Sequence, residues 1–225
     1  MDTVAERDLA GLGVYTLQEA ALYGRLSSQK LSRWVFGSCR HSPVIDSPLS
    51  DKHLLSFYDL VQAMAVNRAR ENHISLPKIR EAIERARTEY GVDLPLAYRH
   101  QMGLFDSELL ITLPDKRIIQ LTGRGHDQIM MNEIVEPFMD YLTFGEEGLV
   151  VRYTPFESHG RKVVLDPRIQ FGQPLIGDTG CRADTLAHAY SVEKSFDFVA
   201  HIYNVSARDV RTAVEYIKSL RRTAA

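Results

Sequence analysis

Cysteine is scarce: Cys39 and Cys181 are the only two, and they lie far apart in the chain. A secreted disulfide scaffold uses more, so reduced thiols in a cytosol are expected. No stretch approaches the roughly 18 consecutive apolar residues that a membrane-spanning helix needs. The opening MDTVAERDLA is acidic and lacks the apolar run of a signal peptide, which predicts a cytoplasmic protein. Neither sign of charge dominates. Lys and Arg number 27 against 29 Asp and Glu, a formal net charge of −2, and this excludes a wholesale basic coat. HExxH, CxxC, Gly-x-Ser-x-Gly and the P-loop are all missing. Cys39 and His41 could offer two metal ligands, but nothing nearby completes a tetrahedral set. Gly123 to Asp127 reads as a turn rather than a phosphate cradle. The expectation is therefore a protein that is not an enzyme and carries no cofactor or metal.

What is present is an average globular composition, 44% apolar and 25% charged over 225 residues, enough for one large unit or two small ones. Charge shifts along the chain. Residues 1–90 carry a net +1, residues 91–155 a net −5 and residues 156–225 a net +2. An anionic partner is expected to meet the ends rather than the acidic middle. The periodicity predicts an α+β, mostly helical protein in three parts: a helical domain over 1–97, a central α+β region over 98–155, and a helical module over 156–225. The middle holds a β-hairpin, Leu109–Leu113 with Ile118–Leu121, then a helix that includes Met131, Phe138 and Leu142. Strands are expected at Val150–Tyr153 and Lys162–Leu165. Pro155 to Gly160 reads as a linker and Gly172 to Gly180 as a glycine-rich loop.

The first part carries a specific pattern. Thr16 followed by Glu19 is a capping box, so a helix starts there. Gly24 and Arg25 break it, and Ser27 can cap a second helix with Leu31, Trp34 and Val35 on its inner face. Two short helices and a tight turn make a helix-turn-helix. The second helix offers Ser28, Gln29, Lys30, Ser32 and Arg33 outward, groups able to reach phosphates and base edges. Arg40 and His41 follow in a Gly37–Pro48 stretch placed where a wing would lie. Together with Thr16 and Ser27, these are the expected DNA-binding residues.

The pattern resembles the MerR-type winged helix-turn-helix, through the Glu19-Ala20-Ala21 core, Leu31-x-x-Trp34-Val35, and a later helix start at Ser56-x-x-Asp59-Leu60-Val61. Such motifs place glycine just before the leucine of the turn, whereas here Arg25 stands there and Gly24 comes one earlier.

A second signature runs through the third part: a strand ending in Asp166-Pro167, then Gly172-x-Pro174-x-Ile176, then terminal helices. Phe198, Val199, Ile202 and Tyr203 read as one apolar face. Ser206 and Asp209 start the last helix, lined inside by Val210, Val214 and Ile217. This resembles the small antitoxin-like family found beside PIN-domain toxins. Its loop is Ile176 to Arg182 here, in place of the family's Gly-Thr-Arg. Taken whole, the chain resembles a VapB-type antitoxin. That resemblance implies a repressor of its own operon that binds operator DNA, neutralises a cognate PIN-domain ribonuclease and forms a homodimer or larger assembly. It implies toxin contacts through Arg182, Arg208, Arg211 and Arg221. The alternative is a MerR-like transcriptional regulator that responds to a small ligand and has no toxin partner.

Overall fold

The computed structural model describes residues 13–38, 41–97, 103–105, 108–112, 118–120, 141–146 and 148–223. Among them the chain is α+β and mostly helical, with seven α-helices and three small antiparallel sheets.

The N-terminal part opens with β1 (Tyr15–Thr16), which runs straight into α1 (Leu17–Tyr23). Both bonds of the Thr16–Glu19 capping box form, so two otherwise orphaned N–H groups are satisfied. A tight turn leads to α2 (Ser28–Val35). Ser27 occupies the N-cap position as expected, but its hydroxyl makes no capping bond. After a short 3-10 turn, β2 (Leu54–Leu55) pairs back on β1 through Tyr15↔Leu55 and Thr16↔Leu54. Then α3 (Phe57–Glu71) starts at a second capping box, Ser56 with Asp59. The last helix of this part, α4 (Leu76–Tyr90), has a proline in its first turn and ends at Gly91, where φ is 65°.

The turn between α1 and α2 explains the displaced glycine. Arg25 itself takes the left-handed conformation, with φ at 53°, at a cost of roughly 1–2 kcal/mol for a side chain with a Cβ. Gly24 has an ordinary φ of −81°. It is needed for space instead: a Cβ there would sit 2.8 Å from Leu60 Cδ1. Close packing of α1 on α3 and backbone reversal thus fall on two neighbouring residues.

The central hairpin forms as expected, β4 (Glu108–Thr112) against β5 (Ile118–Gln120), with β3 (Gly103–Phe105) added on the other side of β4. The helix expected around Met131 and Phe138 and the Gly123–Asp127 turn lie outside the described residues. Leu142, expected on that helix, begins a strand instead, β6 (Leu142–Phe144).

A four-stranded sheet follows in the order β6-β7-β8-β9, built from β6, β7 (Val150–Ser158), β8 (Arg161–Leu165) and β9 (Leu175–Ile176). Two expectations change here. Pro155 to Gly160 is no linker, because β7 continues through it to Ser158 and turns back at His159 and Gly160. Pro155 is tolerated because the register is already shifted between Tyr153 and Phe156. The Gly172–Gly180 loop is not all loop either: Leu175 and Ile176 pair with Val164 and Val163.

Three helices close the chain: α5 (Ala183–Glu193), α6 (Phe196–Tyr203) and α7 (Ala207–Thr223). Ser206 and Asp209 make reciprocal capping bonds at the start of α7. Val210 and Val214 are buried as expected, joined by Ala213, Tyr216 and Leu220. The single apolar face expected on α6 splits in two. Val199 is buried, whereas Phe198 and Ile202 are 49% and 54% exposed.

The two ends of the chain share a core. Tyr15 donates to the Gly172 carbonyl at 2.8 Å, and Tyr23 donates to Gln173 Oε1 at 3.0 Å. Val14 N–H donates to the Phe171 carbonyl at 3.0 Å. The segment that receives them is bent through three successive left-handed residues, Gln170, Phe171 and Gly172. Tyr216 of α7 lies wholly buried beneath this junction, and burial pushes its hydroxyl well above the ordinary tyrosine range.

Candidate nucleic-acid interface and C-terminal basic surface

The recognition-helix candidate, α2, has two clean sides. Leu31, Trp34 and Val35 are buried against the domain core. Ser27, Ser28, Gln29, Lys30 and Arg33 are exposed, and Ser32 is half-buried at the edge. The row predicted to face DNA is therefore solvent-facing along the whole helix. Arg33 lies back along its own helix, with Nε donating to the Gln29 carbonyl at 3.3 Å. Thr16 is exposed, but its hydroxyl is engaged with Glu19, at 2.8 Å to the carboxylate and 3.2 Å from the backbone N–H. Its side chain acts as a helix cap.

The expected wing is smaller than Gly37 to Pro48. Ser38 and His41 exchange backbone hydrogen bonds of 2.8 and 3.2 Å, which makes a narrow turn with an exposed His41. Arg40 lies outside the described residues. Beyond it the chain dives inward: Val44 and Ile45 N–H both donate to the Trp34 carbonyl, at 2.7 and 3.0 Å, and both side chains are buried. Two adjacent aliphatic residues have more to gain under Trp34 than in solvent. Arg80 of α4 braces the turn through the Ser42 carbonyl at 2.7 Å.

At the other end, the four arginines assigned to a partner are not equivalent. Arg182 precedes α5 and grips Asp184 with two parallel bonds of 2.9 and 2.6 Å. Partial burial of Asp184 opposes its ionisation, but this fork and the Thr185 N–H outweigh it and hold the carboxyl below the usual range. Arg211 lies over the Phe196 ring, 4.2 Å from its centroid, in a cation–π contact. Arg208 and Arg221 are exposed and take no partner among the described residues. Arg161 and Arg168 are engaged as well, with Asp209 at 3.1 Å and Asp166 at 2.7 Å. No group of His, Cys, Asp and Glu able to hold a metal occurs among the described residues.

Sequence similarity adds a direction. Over 226 residues, 91% of this chain and 93% of its relative, the sequence is 25% identical to the Mycobacterium tuberculosis protein named "Putative antitoxin VapB45". This likeness is to an antitoxin. A second relative, the uncharacterised protein Rv2308 of the same organism, is 23% identical over 221 residues, 92% of this chain and 91% of that one. In fold the chain is similar to the crystal structure of Rv2018 from Mycobacterium tuberculosis. The TM-score is 0.61 at 22% identity, covering 89% of this chain and 96% of that one. No family model matches the chain. No helix among the described residues is long and apolar enough to cross a membrane.

Sequence reasoning missed the clamp formed by Tyr15 with Gly172 and by Tyr23 with Gln173. Its partners lie 157 and 150 positions apart, and no local signal joins them. It also missed Lys194, His188 and Tyr190, which line a groove between α5 and α7 together with Lys218 and Arg221.

Proposed function

We propose that this protein is a cytoplasmic, non-enzymatic antitoxin of a toxin–antitoxin pair. In this reading it represses its own operon through a MerR-like winged helix-turn-helix and neutralises a PIN-domain ribonuclease through its C-terminal module. The observation that carries the reading is the near full-length similarity to a protein named as an antitoxin. On the DNA side, support comes from α2, whose outward row of Ser28, Gln29, Lys30 and Arg33 suits contacts with phosphates and base edges in a major groove. For the toxin, support comes from Arg208 and Arg221, which are exposed and take no partner among the described residues. A PIN site gathers carboxylates around a divalent cation, and free guanidinium groups can engage such carboxylates bidentately. Arg182 and Arg211 would contribute only by giving up Asp184 and Phe196.

Assembly as a homodimer fits the same picture, because one helix-turn-helix reads few base pairs. Val192, Phe198 and Ile202, exposed by 63%, 49% and 54%, supply apolar surface of the kind that marks contact sites. Co-expression with the adjacent open reading frame, followed by affinity purification and a ribonuclease assay, tests the antitoxin role. A gel shift with the protein's own promoter tests the repressor role. A protein that neither captures nor silences the neighbouring gene product has a different function.

A further inference from the structure

Helices α5 and α7 pack side by side but leave an open groove of about 720 Å³ between them. Its lining follows helical spacing on both walls. Along α7 the stripe is Val214, Ile217, Lys218 and Arg221, and along α5 it includes Ala187, His188 and Tyr190, with Lys194 just past its end. The groove therefore runs with the helices for the length of α5, roughly 16 Å for 11 residues at 1.5 Å each. Its apolar lining comes from Ala187, Tyr190, Val214 and Ile217, and its cations are Lys194 just past the end of α5 and Lys218 and Arg221 on α7.

Three arginines of the C-terminal module, Arg161, Arg168 and Arg182, are engaged by Asp209, Asp166 and Asp184. Lys194 and Arg221 take no partner among the described residues. The one carboxylate lining the groove, Asp184, is already neutralised by Arg182. A chain with a formal net charge of −2 thus concentrates unneutralised positive charge around an apolar trough.

We propose that this groove seats an acidic amphipathic α-helix of the partner protein. Apolar side chains of that helix lie on Tyr190, Val214 and Ile217, and its carboxylates face Lys194, Lys218 and Arg221. The inference rests on the antitoxin reading and narrows its contact surface from the arginine row to this groove. A helix fits better than nucleic acid, because a phosphate backbone makes no use of an apolar floor, whereas an amphipathic helix buries one face and points charge from the edge. A small ligand would need more enclosure than an open trough provides.

The test uses the full chain and the product of the adjacent gene, with affinity measured by calorimetry or biolayer interferometry. Lys218→Glu with Arg221→Glu reverses the charge at the groove. Lys52→Glu with Lys78→Glu makes the same charge change on the N-terminal part. Ser191→Trp, at an exposed position on the groove wall, fills the trough without altering charge. The expected result is a loss of about tenfold or more for the groove pair and for Ser191→Trp, with the control pair within about twofold. Wild-type binding that survives both groove changes overturns the groove and leaves the antitoxin reading standing. Absence of wild-type binding overturns both. A groove pair that alters only the chain's own sedimentation or its operator affinity means that a second copy or DNA occupies the trough, which also overturns the proposal.

Discussion

Tyr15 donates its hydroxyl hydrogen to the carbonyl of Gly172 across 2.8 Å, tying the first strand of the chain to a loop 157 residues later. The pair is buried, and a Cβ on Gly172 would collide with that hydroxyl. The N-terminal helices and the C-terminal sheet are consequently one mechanical unit. Tyr15→Phe leaves the carbonyl without this donor and is expected to cost about 1–3 kcal/mol. Urea unfolding followed by the fluorescence of Trp34, the sole tryptophan, and by circular dichroism should shift as one transition. Two separating transitions would show that the halves unfold independently.

Arg25 offers a stabilising change. Its φ of 53° disfavours any residue with a Cβ, and glycine relieves that cost. Arg25→Gly should raise stability by up to about 1 kcal/mol, read as a higher melting temperature. A melting temperature that falls would mean that the arginine side chain contributes more than its backbone costs.

For operator binding, Arg33→Ala should weaken specific affinity by about 1–3 kcal/mol if Arg33 reads a base. Lys30→Ala should reduce affinity evenly across sequences and flatten the salt slope by about one. Titrations of promoter and scrambled DNA at several salt concentrations check both. Unchanged curves for both variants would remove α2 from the interface.

Phe198 and Ile202 project from α6 with about half their surface in solvent. Replacing both with serine should therefore change folding stability by no more than about 0.5 kcal/mol. If they form the dimer contact, light scattering should fall from twice the monomer mass to the monomer mass. A stable variant that remains dimeric places the contact elsewhere.

The buried carboxylate of Asp166 provides the pH dependence. Burial opposes its ionisation, but hydrogen bonds from Arg168 and the charge of Arg152 hold its folded pKa below the ordinary aspartate range. With the folded value depressed, its stabilising contribution is complete above the unfolded value of about 4 and is lost as pH falls through the folded value. Wild-type stability should drop in acid below about pH 4, and Asp166→Asn should flatten that part of the curve. Parallel slopes for the two proteins in that range would assign the acid sensitivity to other groups.

Local chemistry was legible in the sequence wherever neighbours a few residues apart decide the outcome. The capping boxes at Thr16–Glu19 and Ser56–Asp59 and the start at Ser206–Asp209 rest on side chains bonding within one turn, and the hairpin of β4 and β5 rests on a single strand pair. The outward row of α2 was legible for the same reason, since helical spacing alone separates it from Leu31, Trp34 and Val35. Decisions made by distant partners were not. Pro155 reads as a break, yet the pairing of Phe156 with Val163 carries β7 through it. Phe198 and Ile202 read as core, but Val199 and Ala200 already fill the side of α6 that meets α7, so the bulkier residues are left outside. Arg182 and Arg221 are the same residue type on the same module, yet Asp184 neutralises the first, and the second takes no partner among the described residues. Helix caps and turns are short-range hydrogen bonds that the chain carries wherever it folds. Burial and charge neutralisation depend on which surfaces meet, and only the tertiary structure decides that.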